Sequence, residues 1–205
     1  MIKEIYIDKD ADLIGLDIIY GKNILLLPSE KIKKTLLLKN PKIKQITIEK
    51  SFPNKIFIRV NKRMPLAYLK ADAGFFKVDE QAVVLERLRK KEKNLPVINF
   101  YQPLSYSSFS PGSNIDFTEI KKTLRFLFES QNLNLKVNSI DILAEDMIRL
   151  VIDKQSLAKE IFISTRKPVE NQIYELRKIM EFLQRSGIEE VEYIDLRFEK
   201  PIYKK

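Results

Sequence analysis

Apolar residues recur along this chain with two different periods, and the alternation between the periods marks out its elements. Residues 2–8 alternate, with Ile2, Glu4 and Tyr6 set against Lys3, Ile5 and Ile7, which predicts a short strand. A helical stretch is expected from about Asp10 to Ile19, stopped at Gly21. Pro28-Ser29-Glu30 reads as a second helix start, with Ile32 and Leu36 on one face and Leu37 beside them. Asn40-Pro41 ends that helix, because the residue before a proline is pushed out of the α region. A period of two then returns at Ile46 and Ile48, and again at Ile56, Ile58 and Val60 between Phe57, Arg59 and Asn61. Phe52-Pro53-Asn54 supplies the turn between these strands. The order strand, helix, helix, strand, strand (βααββ) predicts a three-stranded sheet with two helices on one face.

The remainder has a different rhythm. Tyr68–Lys70, Phe75–Val78 and Val83–Leu88 read as strands, broken by Asp72-Ala73-Gly74 and Asp79-Glu80-Gln81. Arg87 to Lys93 is a charged connector, and Leu95-Pro96-Val97-Ile98 a short apolar strand. After a Ser- and Pro-rich loop from Ser105 to Asn114, Ile120, Leu124, Leu127 and Phe128 mark an amphipathic helix. Ser139–Leu143, Met147–Asp153 and Glu160–Ser164 form an antiparallel meander. Pro168 opens another helix with Ile173, Leu176, Met180 and Leu183 on its apolar side, and Gly187 closes it at a position favouring a left-handed residue. A last strand is expected from Val191 to about Tyr203, with Ile194, Leu196 and Phe198 facing inward and Asp195 and Arg197 forming ion pairs on the outer face. The fold class is therefore α+β, in two domains: 1–70, and a larger antiparallel β domain flanked by helices over 71–205.

Composition narrows the chemistry. The 205 residues include no histidine, no cysteine and no tryptophan. That removes histidine-based triads, thiol nucleophiles and the usual zinc or iron–sulfur sites. No glycine-rich phosphate loop or nucleophile elbow occurs. Asp141, Glu145 and Asp146 are better explained as solvated turn residues. No enzyme activity, cofactor, metal, small-molecule substrate or catalytic residue is therefore assigned. The longest aliphatic run, Ile24 to Leu27, is far too short to cross a bilayer.

Charge is unevenly placed. The net charge is +9, and residues 1–70 carry 15 Lys and Arg against 7 Asp and Glu. From Lys31 to Arg63 there are 11 basic residues and one acidic residue, Glu49. Such an excess suits either a plain solvated surface or an anionic partner such as a membrane or nucleic acid. Phe57 and Arg59 on a sheet face beside lysines imitate a base-stacking platform, but no RNA- or DNA-binding signature accompanies them. No nucleic-acid partner is assigned.

Several short motifs in a fixed order resemble the extracytoplasmic part of the FtsQ/DivIB family of bacterial cell-division proteins. They are Gly21-Lys22-Asn23, Pro41-Lys42-Ile43, Phe52-Pro53-Asn54 and Arg63-Met64-Pro65, then Val78-Asp79, Leu95-Pro96 and Ile194-Asp195-Leu196-Arg197. Two departures stand out: Ala82 occupies the turn after Val78-Asp79 where the family carries glycine, and Asn61-Lys62 precedes Arg63 where an acidic residue is usual.

The resemblance implies that residues 1–70 are an FtsQ-type POTRA domain and 71–205 an FtsQ/DivIB β domain. It implies a single-pass cell-membrane protein with both domains outside, its anchor lying beyond this chain. It further implies a non-enzymatic scaffold that binds small bitopic division proteins of the FtsB/DivIC and FtsL types and helps position septal peptidoglycan synthesis. Pro201 points to a sheet-edge strand, since proline cannot donate to a ladder. Such an edge can take up an extended peptide or simply be blunted against aggregation. With the resemblance, Phe198, Lys200, Ile202 and Tyr203 are expected to contact the FtsB/DivIC-type partner. Lys31, Lys33, Lys34, Lys42, Lys44 and Lys50 are expected to face anionic lipid, because the family's first domain lies next to the membrane. The alternatives are a POTRA-type assembly or secretion module, or a basic nucleic-acid-binding module.

Overall fold

The computed structural model describes residues 1–8, 12–92, 94–153 and 156–205. The chain divides into two compact units, Met1–Met64 and Pro65–Lys205. The division falls a few residues before the expected position near 70, because the strand containing Tyr68 pairs into the second unit's sheet.

In the first unit, β1 (Glu4–Ile7), α1 (Ser29–Lys39), β2 (Ile43–Ser51) and β3 (Lys55–Lys62) build a sheet of order β1-β3-β2. β1 runs parallel to β3, and β2 antiparallel to it. Ile32 and Leu36 of α1 are buried with Ile46, Ile56 and Ile58 of the sheet. Each such side chain contributes about 1.5–3 kcal/mol by leaving water. The helix expected before Gly21 is, among the described residues, only a 3-10 turn at Leu16–Ile18. It follows Gly15, whose φ of +97° lies outside any right-handed helix. Asp10, the expected start, lies outside the described residues. Asn40 does more than end α1. Its buried side chain accepts from Ile14 N at 2.9 Å and donates to Ile14 O at 3.0 Å and Leu36 O at 2.7 Å, stitching the preceding loop to the helix.

Among the described residues the second unit holds nine strands: β4 (Ala67–Ala71), β5 (Gly74–Val78), β6 (Val84–Leu88), β7 (Val97–Phe100), β8 (Val137–Ala144), β9 (Met147–Ile152), β10 (Ala158–Ile163), β11 (Val191–Asp195) and β12 (Ile202–Lys204). The sheet order is β12-β11-β10-β9-β8-β7-β4-β5-β6. The predicted meander is present as β8, β9 and β10. The sheet is mixed, however, not wholly antiparallel: β4–β7, β7–β8 and β10–β11 pair in parallel. Two of these follow from helical crossovers, α2 (Thr118–Ser130) between β7 and β8 and α3 (Val169–Arg185) between β10 and β11, since a crossover returns the chain in its original direction.

Both helices bury most of the faces their apolar spacing marks; Met180 of α3 is only half-buried. Ile120, Leu124 and Leu127 of α2 are buried, but Phe128 is exposed and Phe126 takes the buried place. α3 starts after Pro168, buries Ile173, Leu176 and Leu183, and ends at Ser186 before Gly187, whose φ is +67°. Gln172, fully buried near its start, accepts from Ser164 N and donates to Ser164 O, both at 2.9 Å, which fixes α3 against the end of β10.

Candidate functional site

The expected single last strand is two strands and a turn. β11 ends at Asp195, the chain reverses through 196–201, and β12 returns antiparallel with Tyr203 opposite Ile194 and Ile202 opposite Asp195. A period-two pattern therefore runs through a reversal. Ile194 and Leu196 are buried as expected, but Phe198 is 51% exposed and lies in the turn, not in the core.

Two interactions shape that turn. Asp195, 5% exposed, receives a forked contact from Arg197: Nε to Oδ1 at 2.9 Å and Nη2 to Oδ2 at 2.6 Å. The Arg197 amide also donates to Asp195 Oδ1 at 3.0 Å. The expected ion pair exists, yet it is intraturn and its carboxylate is buried instead of outer-facing. The guanidinium covers the Phe162 ring at 5.3 Å and the Phe198 ring at 5.7 Å. The second interaction is Lys167, just before α3. Its ammonium donates to Leu196 O at 2.9 Å and Phe198 O at 2.8 Å while pairing with Glu175 at 2.7 Å.

β12 ends the sheet order, so among the described residues no strand lies on its outer side. Beside it a cleft of about 310 Å³ opens between α3 and β12, lined by Glu175, Lys178, Ile179, Phe182, Pro201 and Tyr203. Phe182 is half exposed, 6.4 Å from the Tyr203 ring. Of the four residues expected at the edge, Ile202 and Tyr203 are on β12, Ile202 exposed and Tyr203 half-buried. Phe198 and Lys200 belong to the preceding turn, both exposed. The α3 side of the cleft escaped the sequence reading. Its signal was present: Glu175, Lys178, Ile179 and Phe182 form a second stripe at helical spacing, with two apolar members outside the main buried face.

Electrostatics steady the new hairpin. Lys204 and Glu192 pair at 2.7 Å across β11 and β12. The hydrogen bond from Lys204, and then its charge, hold the Glu192 carboxyl below the usual carboxylate range; the same bond raises the Lys204 ammonium above its ordinary value.

A larger cleft of about 610 Å³, lined in part by Leu95, Pro96, Leu127 and Val137, sits over the starts of β7 and β8. Those strands are internal to the sheet, so the smaller cleft beside β12 is the better candidate for recognition by strand addition.

The six expected lipid-facing lysines are divided between α1 and the two ends of β2. Lys31, Lys33 and Lys34 lie on α1, with Lys33 paired to Glu30 at 2.7 Å. Lys42 precedes β2, Lys44 lies near its start and Lys50 near its end, about 20 Å along a strand from Lys44. Lys50 Nζ donates to Leu27 O at 3.1 Å and Leu25 O at 3.5 Å. The stacking platform imagined at Phe57 is already occupied: Phe57 stacks on Tyr6 at 5.1 Å, and Arg59 pairs with Glu49 at 3.2 Å. The acids weighed for chemistry also have partners, Asp141 with Arg149 at 2.8 Å and Asp146 with Arg166 at 3.0 Å. Among the described residues no cluster of acidic side chains is arranged to hold a metal ion, and no helix is long and apolar enough to cross a membrane.

Residues 9–63 match the family described as POTRA domain, FtsQ-type. The cell division protein DivIB of Clostridium botulinum (strain Hall) is 28% identical over 189 residues, covering 89% of this chain and 71% of that protein. DivIB of Clostridium acetobutylicum is 24% identical over 185 residues, 89% of this chain and 72% of the relative. Cell division protein FtsQ of Syntrophotalea carbinolica is 31% identical over 112 residues, 54% of this chain and 38% of its own. The major extracytoplasmic domain of DivIB from Geobacillus stearothermophilus aligns at 16% identity over 61% of this chain and 97% of that one, with a TM-score of 0.37, too loose a superposition to add to the sequence matches. An FtsQ-type POTRA match at the amino end is followed by alignment to DivIB proteins along nearly the whole length, so the chain is similar to the FtsQ/DivIB cell-division proteins.

Proposed function

We propose that this chain is a non-enzymatic scaffold of the division machinery whose β12 edge receives an extended segment of an FtsB/DivIC-type protein, with an FtsL-type protein in the same assembly. The observation that carries the reading is the pairing of a free strand edge with the Ile179–Phe182–Tyr203 cleft beside it. An added strand takes main-chain hydrogen bonds from the edge, and apolar side chains on its α3 side enter the cleft. Phe198 and Lys200, exposed in the turn, contribute from one end of that strand. Through such contacts the chain helps position septal peptidoglycan synthesis, held outside the cell by a single membrane anchor.

Isothermal titration of the chain with an FtsB/DivIC-type partner tests this. Deleting residues 199–205 is expected to abolish binding while cooperative unfolding is kept, and Phe182→Ala with Tyr203→Ala to weaken it at least about tenfold, as loss of two aromatic anchors does. Binding unchanged in both variants overturns the proposal.

A second contact is proposed for the first unit: its basic excess holds it against anionic lipid headgroups, with Lys31 and Lys34 exposed on α1, Lys42 and Lys44 exposed at one end of β2, and Lys33 and Lys50 half-buried. Vesicle co-sedimentation that ignores anionic lipid content counts against it.

A further inference from the structure

The run Ile24-Leu25-Leu26-Leu27 is the longest aliphatic stretch in the chain, and the structure divides it. Ile24 and Leu27 are buried, 4% and 5% exposed, whereas Leu25 and Leu26 are 69% and 80% exposed. The buried pair anchors the loop in the core of the first unit, and the inner pair is held out in solvent. Phe52, in the turn between β2 and β3, is 61% exposed.

These side chains belong to one cluster of loops. Lys50, two residues before Phe52, reaches the carbonyls of Leu25 and Leu27. Ile2 N donates to Lys22 O at 2.9 Å, and Lys3 N to Asn54 O at 3.0 Å, so the chain start lies against both loops. Tyr20, in the same cluster by sequence, is 53% exposed. Exposed leucines grouped with an exposed phenylalanine are unusual on a solvated surface and mark a contact.

The chemistry of the surroundings names the partner. Residues 1–3, 20–27 and 50–55 contain four lysines and no acidic residue. Of these Lys55 is paired with Glu4 at 3.1 Å, leaving Lys3, Lys22 and Lys50 to flank the apolar tips. Part of the loop's backbone is already hydrogen-bonded within the protein. Leu25 N donates to Asn23 Oδ1 at 3.0 Å, Ser29 N donates to Leu27 O at 2.9 Å, and the Lys50 ammonium covers Leu25 O. Pre-satisfied backbone is what entry into an apolar medium requires, since every open amide or carbonyl there is costly. Apolar tips ringed by lysines, with the adjoining Glu4 carboxylate already paired to Lys55, suit a bilayer of anionic lipid, whose headgroups attract the ammoniums while its acyl boundary takes the leucines.

We infer that the Ile24–Leu27 loop and the Phe52 turn form an inserting tip that lowers Leu25, Leu26 and Phe52 into the surface of an anionic membrane. This rests on the proposed lipid contact of the first unit and changes its nature: the lysines on α1 and at the far end of β2 become secondary, and three apolar side chains carry the attachment.

The chain has no tryptophan, so one introduced indole reports its own surroundings without interference. The full chain carrying Leu26→Trp is mixed with vesicles of phosphatidylglycerol and phosphatidylcholine. The control is Leu38→Trp, at an 85% exposed position in the last turn of α1. Expected for Leu26→Trp are a blue-shifted emission and quenching by brominated acyl chains; expected for Leu38→Trp is neither. Co-sedimentation of the Leu25→Ser, Leu26→Ser, Phe52→Ser variant should fall at least about tenfold, and that of Leu38→Ser should not. Vesicle binding that follows phosphatidylglycerol content with an unshifted Leu26→Trp spectrum overturns insertion and leaves the charge contact standing. Absence of binding at any lipid composition overturns both. A lipid-free chain that sediments as a dimer and becomes monomeric in the triple variant makes this a contact between copies, and overturns the lipid assignment.

Discussion

The ammonium of Lys167 lies 2.8 Å from the main-chain carbonyl of Phe198, so a residue 31 positions earlier holds the turn from which β12 starts. The same ammonium takes Leu196 O and the Glu175 carboxylate, and its side chain is only 20% exposed. β12 has three residues and one neighbouring strand; on its own it is too short to persist as a strand. Its position follows from the Lys167 clasp, the Asp195–Arg197 fork and the packing of Tyr203 against the core.

Lys167→Met is therefore expected to loosen β12 before it affects the rest of the sheet. Two hydrogen bonds from a charged donor are lost and Glu175 is left without its counter-charge, a cost of about 1.5–3 kcal/mol. Hydrogen exchange should show lost protection in β12 with β8–β10 unchanged. Uniform loss of protection across the sheet would mean that the lysine serves global stability and not the edge.

The Glu192–Lys204 pair gives the hairpin a pH dependence. Glu192 titrates below the usual carboxylate range, so its contribution is fully present above that range and is lost as pH falls through the lowered value. Lys204 titrates above its ordinary value, so its contribution is present below the ordinary lysine range and is lost as pH rises through the raised one. Acidification should weaken NMR contacts between Tyr203 and Ile194, opposite one another in the ladder, ahead of global unfolding. Glu192→Gln should begin weaker at neutral pH and show less acid dependence. The pair is solvent-exposed, so the change should be small and reduced by salt.

Ala82 has a φ of +60° and is fully buried. A left-handed conformation costs a non-glycine residue about 1–2 kcal/mol. Burial of its methyl group returns about 0.8 kcal/mol. Ala82→Gly should therefore shift the urea midpoint little, or raise it slightly. Ala158→Gly, at a buried position in β10, should cost about 1 kcal/mol or more through lost burial and backbone freedom. Equal destabilisation at both sites would show that position 82 carries no strain. The turn itself is held by Asp79, whose buried carboxylate accepts from Val83 N at 2.8 Å and Gln81 N at 3.0 Å.

Most elements were legible because their signals are local. Pro28, Asn40-Pro41, Pro168 and Gly187 mark the ends of α1 and α3 as backbone chemistry dictates, and the β2–β3 hairpin follows from alternation interrupted by Phe52-Pro53-Asn54. Parallel pairing was not legible: Tyr68 meets Val97, and Ile98 meets Ile140, through connections that local patterning does not describe. The last strand failed for a similar reason. Ile194, Leu196 and Phe198 keep a strand's spacing, but Lys167 takes two carbonyls from that run, an interaction no window around residue 196 contains. Phe126 and Phe128 lie close together on α2, and only tertiary packing decides which one is covered. At the candidate site, Pro201 lies in the reversal just before β12 and not within a strand, and the cleft required α3 to be seen beside it.

The forked contact between Asp195 and Arg197 has one more implication. It gathers a carboxylate, a guanidinium and two aromatic rings, Phe162 and Phe198, within a few residues of the free edge. On the proposed strand addition, an incoming peptide would meet a rim that is already ordered, and would lose less configurational freedom on docking than against a mobile tail. Short as it is, the terminal ribbon would then be a template set in advance.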